Sequence, residues 1–599
     1  MSSLYNYDSD YVTGYNRKKL TIFIVGVVLA AMVVVGRLAY VMLIKGQHYD
    51  DMATNIQQRE RSIKAQRGVI YDRNGVVIAG NEAVCTISVI HNQVADKETV
   101  IKNLSTLLEM DEAAIRKKVE KVSSREKIKS NVDRETADKI RSLDMDGVMV
   151  DEDYKRYYPY NTLASKVIGF TGGDNQGIVG LEVYYDDTLQ GIPGSIKTLT
   201  DSRGIEIANA AETREEPIPG QNLITSLDVN IQQYTEQLAV QVMELRGATR
   251  VCIIVMNPQN GEIYALADVP EYNLNEPFEL NVTTTATDAE PTNDQLNNMW
   301  RCFPISDSYE PGSTFKIITS TAAFEEGVVT VNDGFNCPGY RIVGDRRIRC
   351  HKTVGHGSQT FREGIMNSCN PVFMDIGARV GAEKLYENME KLGLFEKTGI
   401  DLPGEAGSIF HNLKDVKEVE LATISFGQTF QITPLQLMRA ASAVVNGGTL
   451  VTPHFGVYVT DENNNIVKKI SYNTRTGVVS EETSETMKGL LEDVVAIGTG
   501  KNAYVDGYRI GGKTATSEKL PRSSNKYISS FLGFAPANDP QVMALVLIDE
   551  PTGTYYGGTI AAPVIGDLFD NILPYLGLDK EISTDTDARE VIYIPDTVF

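Results

Sequence analysis

The longest uninterrupted apolar run of the chain lies near its N-terminus. Leu20–Gly36 carries no charge, and after Arg37 the apolar pattern resumes as Leu38–Ile44. At about 1.5 Å per helical residue, residues 20–44 span roughly 37 Å, which is enough to cross a bilayer. The pattern predicts one transmembrane helix. A cleaved signal peptide is the alternative, but it would have a shorter apolar core followed by small residues, whereas Arg37 and Tyr40 follow here.

The charges beside this run indicate its direction. Arg17, Lys18 and Lys19 immediately precede it, so the positive-inside rule places residues 1–19 in the cytoplasm. Everything after about residue 45 is then exported. Arg37 lies away from the bilayer centre and can extend its side chain toward the interface. No later stretch is long and apolar enough to span, so the sequence predicts a single-pass protein of the cytoplasmic membrane.

The apolar pattern of the exported part predicts a mixture of helices and strands. Period-3.6 spacing predicts a helix over Glu98–Val122, and short apolar runs bounded by turn residues predict strands. A cluster of Pro, Gly and charge at Glu212–Gly220 indicates a domain boundary. Beyond it, strands near both ends with helices between them favour an α/β sheet domain with a helical insertion. These elements are the strands Val251–Met256, Glu262–Ala267, Tyr527–Phe534 and Val542–Ile548, and the helix Pro434–Val445.

Composition excludes several classes of function. The net charge of −22 over 599 residues argues against a nucleic-acid-binding protein, which normally has a basic surface. Six cysteines are too few for a disulfide scaffold, and there is neither a Cys-x-x-Cys pair nor a His-Glu-x-x-His motif. The sequence therefore predicts no metal site and no cofactor.

The strongest chemical signal is Ser313-Thr-Phe-Lys316, which follows Pro311-Gly312. Ser and Lys three residues apart at a helix start share one face, so Lys316 can take the proton that makes the hydroxyl nucleophilic. It can do so if burial lowers its pKa. The helix N-terminus would stabilise an oxyanion at Ser313. Two further Ser-x-x-Lys matches, Ser124/Lys127 and Ser523/Lys526, lie in charged surroundings typical of a solvent-exposed face.

Two weaker elements follow along the chain. Ser368-Cys369-Asn370 alone is compatible with an ordinary loop, and Gly511–Thr516, which contains Lys513, Thr514 and Thr516, with an edge strand. The order Ser-x-x-Lys, Ser-x-Asn, Lys-Thr-x-Thr changes this interpretation, because it is the pattern of serine penicillin-recognising enzymes, in which the three elements converge on one cleft.

With its membrane helix, the chain resembles class B penicillin-binding proteins over nearly its whole length, and most of all their division- and sporulation-type members. Further residues that carry the resemblance are Arg67–Gly75, Gly177–Glu182, Thr225–Asp228, Gly427–Gln428, Thr433–Gln436 and Tyr556–Gly558. The resemblance implies an α+β multidomain fold: a cytoplasmic tail (1–19), a single transmembrane helix (20–44), a mixed α/β pedestal domain of the dimerisation type (45–220), a serine penicillin-recognising α/β transpeptidase domain (221–576) and an acidic C-terminal tail (577–599).

The resemblance also implies a role for each motif residue. Ser313 would attack the penultimate D-Ala carbonyl of a stem peptide, with Lys316 as base. Ser368 would pass the proton to the leaving D-Ala, and Asn370 would hold the substrate amide. Lys513 and Thr514 would orient the terminal carboxylate or adjust the electrostatic field around Ser368. Backbone N–H groups of Ser313 and Thr516 would form the oxyanion hole.

The partners that the resemblance implies are peptidoglycan stem peptides on lipid-linked nascent glycan, and β-lactams as inhibitors. It also implies a polytopic glycosyltransferase in the membrane and division or sporulation proteins. No cofactor, metal or nucleic acid is expected. A β-lactamase or β-lactam sensor would use the same three motifs, but the long pedestal argues against a β-lactamase.

Ala515 departs from the family pattern, which has Gly after Lys-Thr. A methyl group there is expected to narrow the cleft beside the oxyanion hole and to weaken binding of bulky β-lactams. The second hypothesis for the chain follows from this departure: a catalytically weak scaffold, or low-affinity β-lactam-binding protein, that recruits wall-synthesis partners.

Cys337 and Cys350 flank a short loop that is expected to lie near the cleft, outside the membrane. They are either two free buried thiols or a disulfide, which could be under redox control. Both interpretations stay open at this point.

Overall fold

The structure is a computed structural model, and it describes residues 9–46, 58–123, 125–199, 213–281 and 291–580. Most of the predicted acidic tail and Ser124 lie outside these ranges. The chain forms two compact units. The first contains residues 1–64, 83–153 and 193–218, and the second contains residues 65–82, 154–192 and 219–599.

The N-terminal helix is Ser9–Leu43. Its stretch Arg17–Leu43 is long and apolar enough to span a membrane, and it is the only such helix in the described ranges. Large apolar side chains along it are exposed, including Val33 at 71%. A helix with exposed apolar side chains all around fits a lipid environment. The helix predicted from the apolar run is confirmed, and its bounds extend further toward the N-terminus.

The rest of the first unit combines short helices with antiparallel strands. One three-stranded sheet contains Gln58–Ile63, Gly194–Leu199 and Thr213–Glu215. The other elements are the strand Glu126–Val132 and the helices Lys97–Leu108, Glu112–Val119 and Arg134–Ser142. Two longer strands, Val77–Val89 and Val148–Tyr157, contain residues of both units.

The prediction of one helix over Glu98–Val122 was wrong, because the structure has two. The first ends at Leu108, where Glu109 adopts a left-handed conformation with φ 52° and its N–H donates to the carbonyl of Ser105. A left-handed residue at this position terminates a helix. Ile115 of the second helix and Leu104 of the first belong to the same buried core, so the apolar spacing continues across a break that it cannot reveal.

Two segments singled out in the sequence meet in the second unit through a buried ion network. Arg67 Nε donates to Glu182 at 2.7 Å, and Arg156 Nε donates to the other oxygen of Glu182 at 2.6 Å. Arg67 Nη1 also donates to Asp186 at 2.7 Å. The carboxylate of Glu182 is fully buried and compensated by two guanidinium groups, as a buried charge requires. Short elements of the second unit are Ile70–Tyr71, Ser165–Ile168, Gly180–Tyr184, Asp186–Leu189, Asn222–Thr225, Gly456–Thr460 and Ile466–Lys469.

A five-stranded antiparallel sheet organises the rest of the second unit. Its strands are β1 (Arg250–Met256), β2 (Ile263–Val269), β3 (Gly511–Glu518), β4 (Tyr527–Ala535) and β5 (Val542–Asp549). Their order across the sheet is β2-β1-β5-β4-β3, so β3 forms one edge. The first two strands and the last three come from opposite ends of the domain. The strands predicted from the four apolar runs are confirmed.

Side chains of the central strands alternate between two cores. On β1, Val251, Ile253 and Val255 face one core, and Cys252, Ile254 and Met256 face the other. The first core is covered by helices α1 (Val229–Arg246) and α5 (Ala562–Tyr575). The second contains helices of the insertion between β2 and β3. Burial on both faces explains why these strands read as continuous apolar runs.

The helical insertion supplies most of the candidate site. It includes α2 (Lys316–Glu325), α3 (Asn370–Val380) and α4 (Pro434–Val445), and the predicted bounds of α4 are confirmed. Its other helices are Asn293–Trp300, Phe303–Ser306, Phe361–Met366, Ala382–Lys391, Glu418–Ile424 and Glu481–Ala496. Two small hairpins pair Gly334–Cys337 with Gly357–Thr360, and Tyr340–Val343 with Arg346–Arg349. The helix Gly557–Ile560 follows β5.

Candidate active site

A glycine turn positions Ser313 at the start of α2. Gly312 has φ +57°, and its N–H donates to the carbonyl of Gly427 at 2.9 Å. A methyl group on Gly427 would lie 1.9 Å from the Gly312 oxygen, so this close approach requires glycine at 427. Gly312–Phe315 forms a 3₁₀ turn that continues into α2 at Lys316. Ser313 is partly exposed, while Gly312 and Thr314 beside it are buried.

Lys316 is buried one turn further along the same helix. Its ammonium group donates to the Ser368 carbonyl at 2.6 Å, to Asn370 Oδ1 at 2.8 Å and to Ser368 Oγ at 3.3 Å. Burial lowers the pKa of Lys316 to about 8. A lysine with this pKa is neutral in a substantial fraction of molecules at neutral to mildly alkaline pH, so it can accept a proton.

Ser368 lies between two lysines and has a strained backbone. Its hydroxyl accepts a hydrogen bond from Lys513 Nζ at 2.9 Å in addition to the one from Lys316. Its φ of +50° falls in the left-handed region that residues with a Cβ rarely adopt. The next residue but one, Asn370, begins α3 and directs its amide oxygen at Lys316. Strain of this kind is typical of functional turns that the surrounding structure holds in place.

Lys513 lies on the edge strand β3 and is fully buried. Burial, with a smaller contribution from the positive charge of Lys316, holds the pKa of Lys513 well below its usual value. On the same strand, the Thr514 hydroxyl lies 3.2 Å from that of Thr499, and the Thr516 hydroxyl accepts from the Gly557 N–H at 3.0 Å. Within the described part of the chain β3 pairs only with β4, so its other edge carries unpaired backbone groups. A methyl group placed on Gly312 would lie 3.5 Å from the Thr516 carbonyl oxygen, so the turn that carries Ser313 lies against this strand.

The structure thus brings the three motifs together. One hydrogen-bond network joins Lys316, Ser368, Asn370 and Lys513. Within the described ranges the hydroxyl of Ser313 makes no hydrogen bond. Ser313 lies in the turn Gly312–Phe315, which leads directly into the helix that carries Lys316. The chance match Ser523/Lys526 is separate, since Lys526 is half exposed and pairs with Glu550. Its interpretation as a solvent-exposed face is confirmed.

Ala515 fits its strand without backbone strain, because it is not among the residues with positive φ. Its side chain is buried at 3% exposure. A methyl group placed on Gly312 would lie 3.6 Å from the Cβ of Ala515, so the alanine methyl faces the turn that carries Ser313.

A cluster that the sequence did not predict lies directly beside this site. The sulfur atoms of Cys337, Cys350 and Cys369 and a ring nitrogen of His356 all lie within 4.8 Å of one another. Cys337 and Cys350 are both free thiols in this structure. A hydrogen bond from Cys369 lowers the pKa of the Cys350 thiol well below its usual value. Three thiols and an imidazole are a donor set that could hold a soft divalent metal ion.

Comparison with known proteins agrees with this geometry. Residues 251–570 match the model of the penicillin binding protein transpeptidase domain, and residues 62–225 match that of the penicillin-binding protein dimerisation domain. The first match alone covers more than half of the chain.

Curated relatives match along most of their own length. Stage V sporulation protein D of Bacillus subtilis is 39% identical over 571 residues, which cover 94% of this chain and 86% of that protein. Peptidoglycan D,D-transpeptidase FtsI of Escherichia coli is 27% identical over 580 residues, covering 94% and 93%.

A solved structure shows the same fold. Penicillin binding protein 2X of Streptococcus thermophilus has a TM-score of 0.72 at 21% identity, covering 87% of this chain and 81% of that one. With a transpeptidase domain, a dimerisation domain and one apolar N-terminal helix that could anchor it in a membrane, the chain belongs to the class B penicillin-binding proteins.

Proposed function

We propose that this chain is a serine D,D-transpeptidase that cross-links peptidoglycan stem peptides and is inhibited by β-lactams. The observation that carries the proposal is the convergence of two buried lysines on Ser368 beside the Ser313 turn. The names of the relatives, a peptidoglycan D,D-transpeptidase and a sporulation protein, support cell-wall cross-linking in division or sporulation.

In the proposed acylation, neutral Lys316 takes the proton of Ser313 as Oγ attacks the penultimate D-Ala carbonyl. Backbone N–H groups of Ser313 and Thr516 stabilise the oxyanion. When the tetrahedral intermediate collapses, the C–N bond to the terminal D-Ala breaks. Ser368 delivers a proton to the departing amine and is recharged by Lys316, with which it shares a hydrogen bond. The products are an ester on Ser313 and free D-Ala.

In the second half-reaction, an amine of another stem peptide attacks the ester. The amine loses a proton to the same base as the new amide bond forms, and Ser313 recovers its hydroxyl. Water in place of the amine would give hydrolysis. Lys513 and Thr514 hold the terminal carboxylate of the donor peptide, and Asn370 holds its amide. The open edge of β3 can pair with the donor peptide backbone as an added strand.

The N-terminal helix anchors the enzyme, with residues 1–19 in the cytoplasm and the catalytic domain outside. Arg17, Lys18 and Lys19 at the start of the span support this direction. The anchor keeps the catalytic domain near its substrate, nascent glycan that is still lipid-linked. A polytopic glycosyltransferase in the same membrane is the partner that would supply this glycan.

Mapping of the covalent adduct tests the proposal. The full-length protein in detergent is incubated with penicillin, digested and analysed by mass spectrometry. The penicilloyl mass is expected on the peptide that contains Ser313. An adduct on Ser368 or Cys369 would assign a different nucleophile, and a well-folded protein without any adduct would favour the scaffold hypothesis.

The alanine after Lys513-Thr514 gives a separate prediction. We expect Ala515→Gly to be acylated several-fold faster by cephalosporins with bulky side chains, because removal of the methyl beside the Ser313 turn widens the cleft. Acylation by benzylpenicillin, which is smaller, serves as the control and should change less. Equal rates for the two proteins with the bulky compounds would show that Ala515 does not restrict the cleft.

A further inference from the structure

The cysteine cluster consists of Cys337, Cys350, His356 and Cys369, and its four donor atoms come from three separate stretches of the chain. Cys337 ends the strand Gly334–Cys337, and its pairing partner Gly357 directly follows His356. Cys350 directly follows the strand Arg346–Arg349. Cys369 comes from a third stretch, immediately before α3. The four donors all lie between residues 337 and 369, and it is the folding of this segment, not adjacency in sequence, that brings them together.

Two glycine turns close the backbone around the cluster. Gly339, with φ +93°, lies so close to the Thr353 carbonyl that a methyl group would come within 2.0 Å of its oxygen. Gly355, with φ +89°, approaches the Cys337 carbonyl in the same way, at 2.4 Å. Only glycine allows both the conformation and the contact. The result is a compact double turn that brings Cys337, Cys350 and His356 together.

The chemistry of the donors selects the ligand. All three sulfur atoms belong to buried residues, and His356 is half-buried with its Nδ1 3.7 Å from Cys350 Sγ. Three cysteines and one histidine are a donor set of structural zinc sites. A disulfide between Cys337 and Cys350 would use only two of the four donors and would leave Cys369 and His356 without a role.

We propose that Cys337, Cys350, His356 and Cys369 bind one zinc ion, and that the bound ion holds the Ser368–Asn370 turn in place. Tetrahedral zinc, with Zn–S of about 2.3 Å and Zn–N of about 2.0 Å, places its sulfur ligands roughly 3.8 Å from one another and roughly 3.5 Å from the nitrogen. The cluster, within 4.8 Å, needs to contract by about 1 Å at its widest, which side-chain rotation can supply.

Cys369 is joined to an active-site residue by one peptide bond on each side. Cys369 stands between Ser368, whose backbone is in the left-handed region, and Asn370, which accepts from Lys316. A metal bond to the middle residue would restrain the direction of both neighbouring side chains. Cys369 is therefore a positioning residue, because the proposal gives it no chemical step of its own and it acts through its neighbours Ser368 and Asn370.

Zinc content is the direct test, and it does not depend on the proposed function. Full-length protein purified without chelator is expected to contain one zinc ion per chain, measured by elemental mass spectrometry. Cys350→Ser and His356→Ala should lose it. His356→Cys should retain it, because four cysteines also form a structural zinc site. Cys85→Ser, which changes a buried cysteine outside the cluster, is the matched control and should retain zinc.

Exchange of the metal in the wild-type protein tests the site without any substitution, so its result does not depend on whether the variants fold. After removal of zinc, added Co²⁺ should produce the charge-transfer absorption of cobalt–thiolate bonds. Wild-type protein that contains no zinc and gives no such absorption would overturn the site. So would a Cys337–Cys350 disulfide in freshly isolated protein, or zinc that Cys350→Ser retains, since that zinc would be adventitious.

The second part of the proposal, that bound zinc holds the Ser368–Asn370 turn in place, rests on the proposed function and is tested by a separate measurement. In His356→Ala the rate constant of acylation at saturating penicillin is expected to fall at least about 10-fold, with little change in the affinity of the initial complex. Substitutions around protein-bound metals commonly reduce activity by at least this factor. His356→Cys should restore the rate constant. A zinc-free protein that is acylated at the wild-type rate would exclude the positioning role of zinc without contradicting zinc binding itself.

Discussion

Ser313→Ala is expected to abolish acylation by penicillin, with a loss of on the order of 10⁶ in rate. The estimate follows from serine hydrolases, in which removal of the nucleophile costs about that much. Ser313 is the only partly exposed hydroxyl at the turn between Gly312 and α2. Fluorescent penicillin, followed over time on a gel of full-length protein, measures the effect.

The matched control for this variant is Ser523→Ala, which alters a second Ser-x-x-Lys match at an exposed turn. Its acylation should equal that of the wild type. Residual stable labelling of Ser313→Ala at more than about a thousandth of the wild-type rate would mean that another side chain attacks the lactam carbonyl. Ser368 would then be examined first, because Lys316 and Lys513 both contact it.

Lys316 gives the second large effect. Lys316→Ala is expected to slow acylation by about 10²- to 10⁴-fold, the usual contribution of a general base. Lys316→Arg should be equally slow, since a guanidinium keeps the positive charge but cannot lose its proton at these pH values. Stopped-flow measurement of acylation with a chromogenic cephalosporin would resolve rates over this range.

The pH dependence of acylation distinguishes a base from a group that only binds. Burial lowers the pKa of Lys316 to about 8, and only the neutral amine can accept the proton. The rate should therefore rise with pH through about 8 and fall by about tenfold per pH unit well below it. The control is Lys526→Ala, which should keep this profile. A rate that is flat between pH 6 and 9 in the wild type would exclude Lys316 as the base.

Sequence reasoning predicted the central sheet because its strands are buried on both faces and therefore read as uninterrupted apolar runs. It could not predict their pairing, which depends on contacts between distant residues. The same limit applies to the site. Lys316 and Ser368 are 52 residues apart, and Lys513 is 145 residues beyond Ser368. Only the order of the three motifs and the family resemblance indicated that they would meet.

The cysteine cluster shows where spacing arguments fail. Cys337 and Cys350 lie on two different hairpins, and Cys369 lies beyond both, so no short motif joins the donors. The usable signal was the combination of Cys350 and His356 with Gly339 and Gly355, glycines that allow backbones to come close. The helix break at Glu109 was missed for a related reason, because a left-handed cap interrupts the backbone without interrupting the apolar period.

The arrangement of the central sheet has a consequence for how the domain folds. Val251 of β1 pairs with Ile548 of β5, about 300 residues later in the chain. During synthesis β1 is completed long before its partner β5. The apolar faces of β1 and β2 therefore stay exposed while the helical insertion, whose contacts are more local, folds. Folding dominated by such distant pairings is slow. The last strands to be synthesised therefore complete the domain, and truncation anywhere before β5 should leave an aggregation-prone chain and no partly active enzyme.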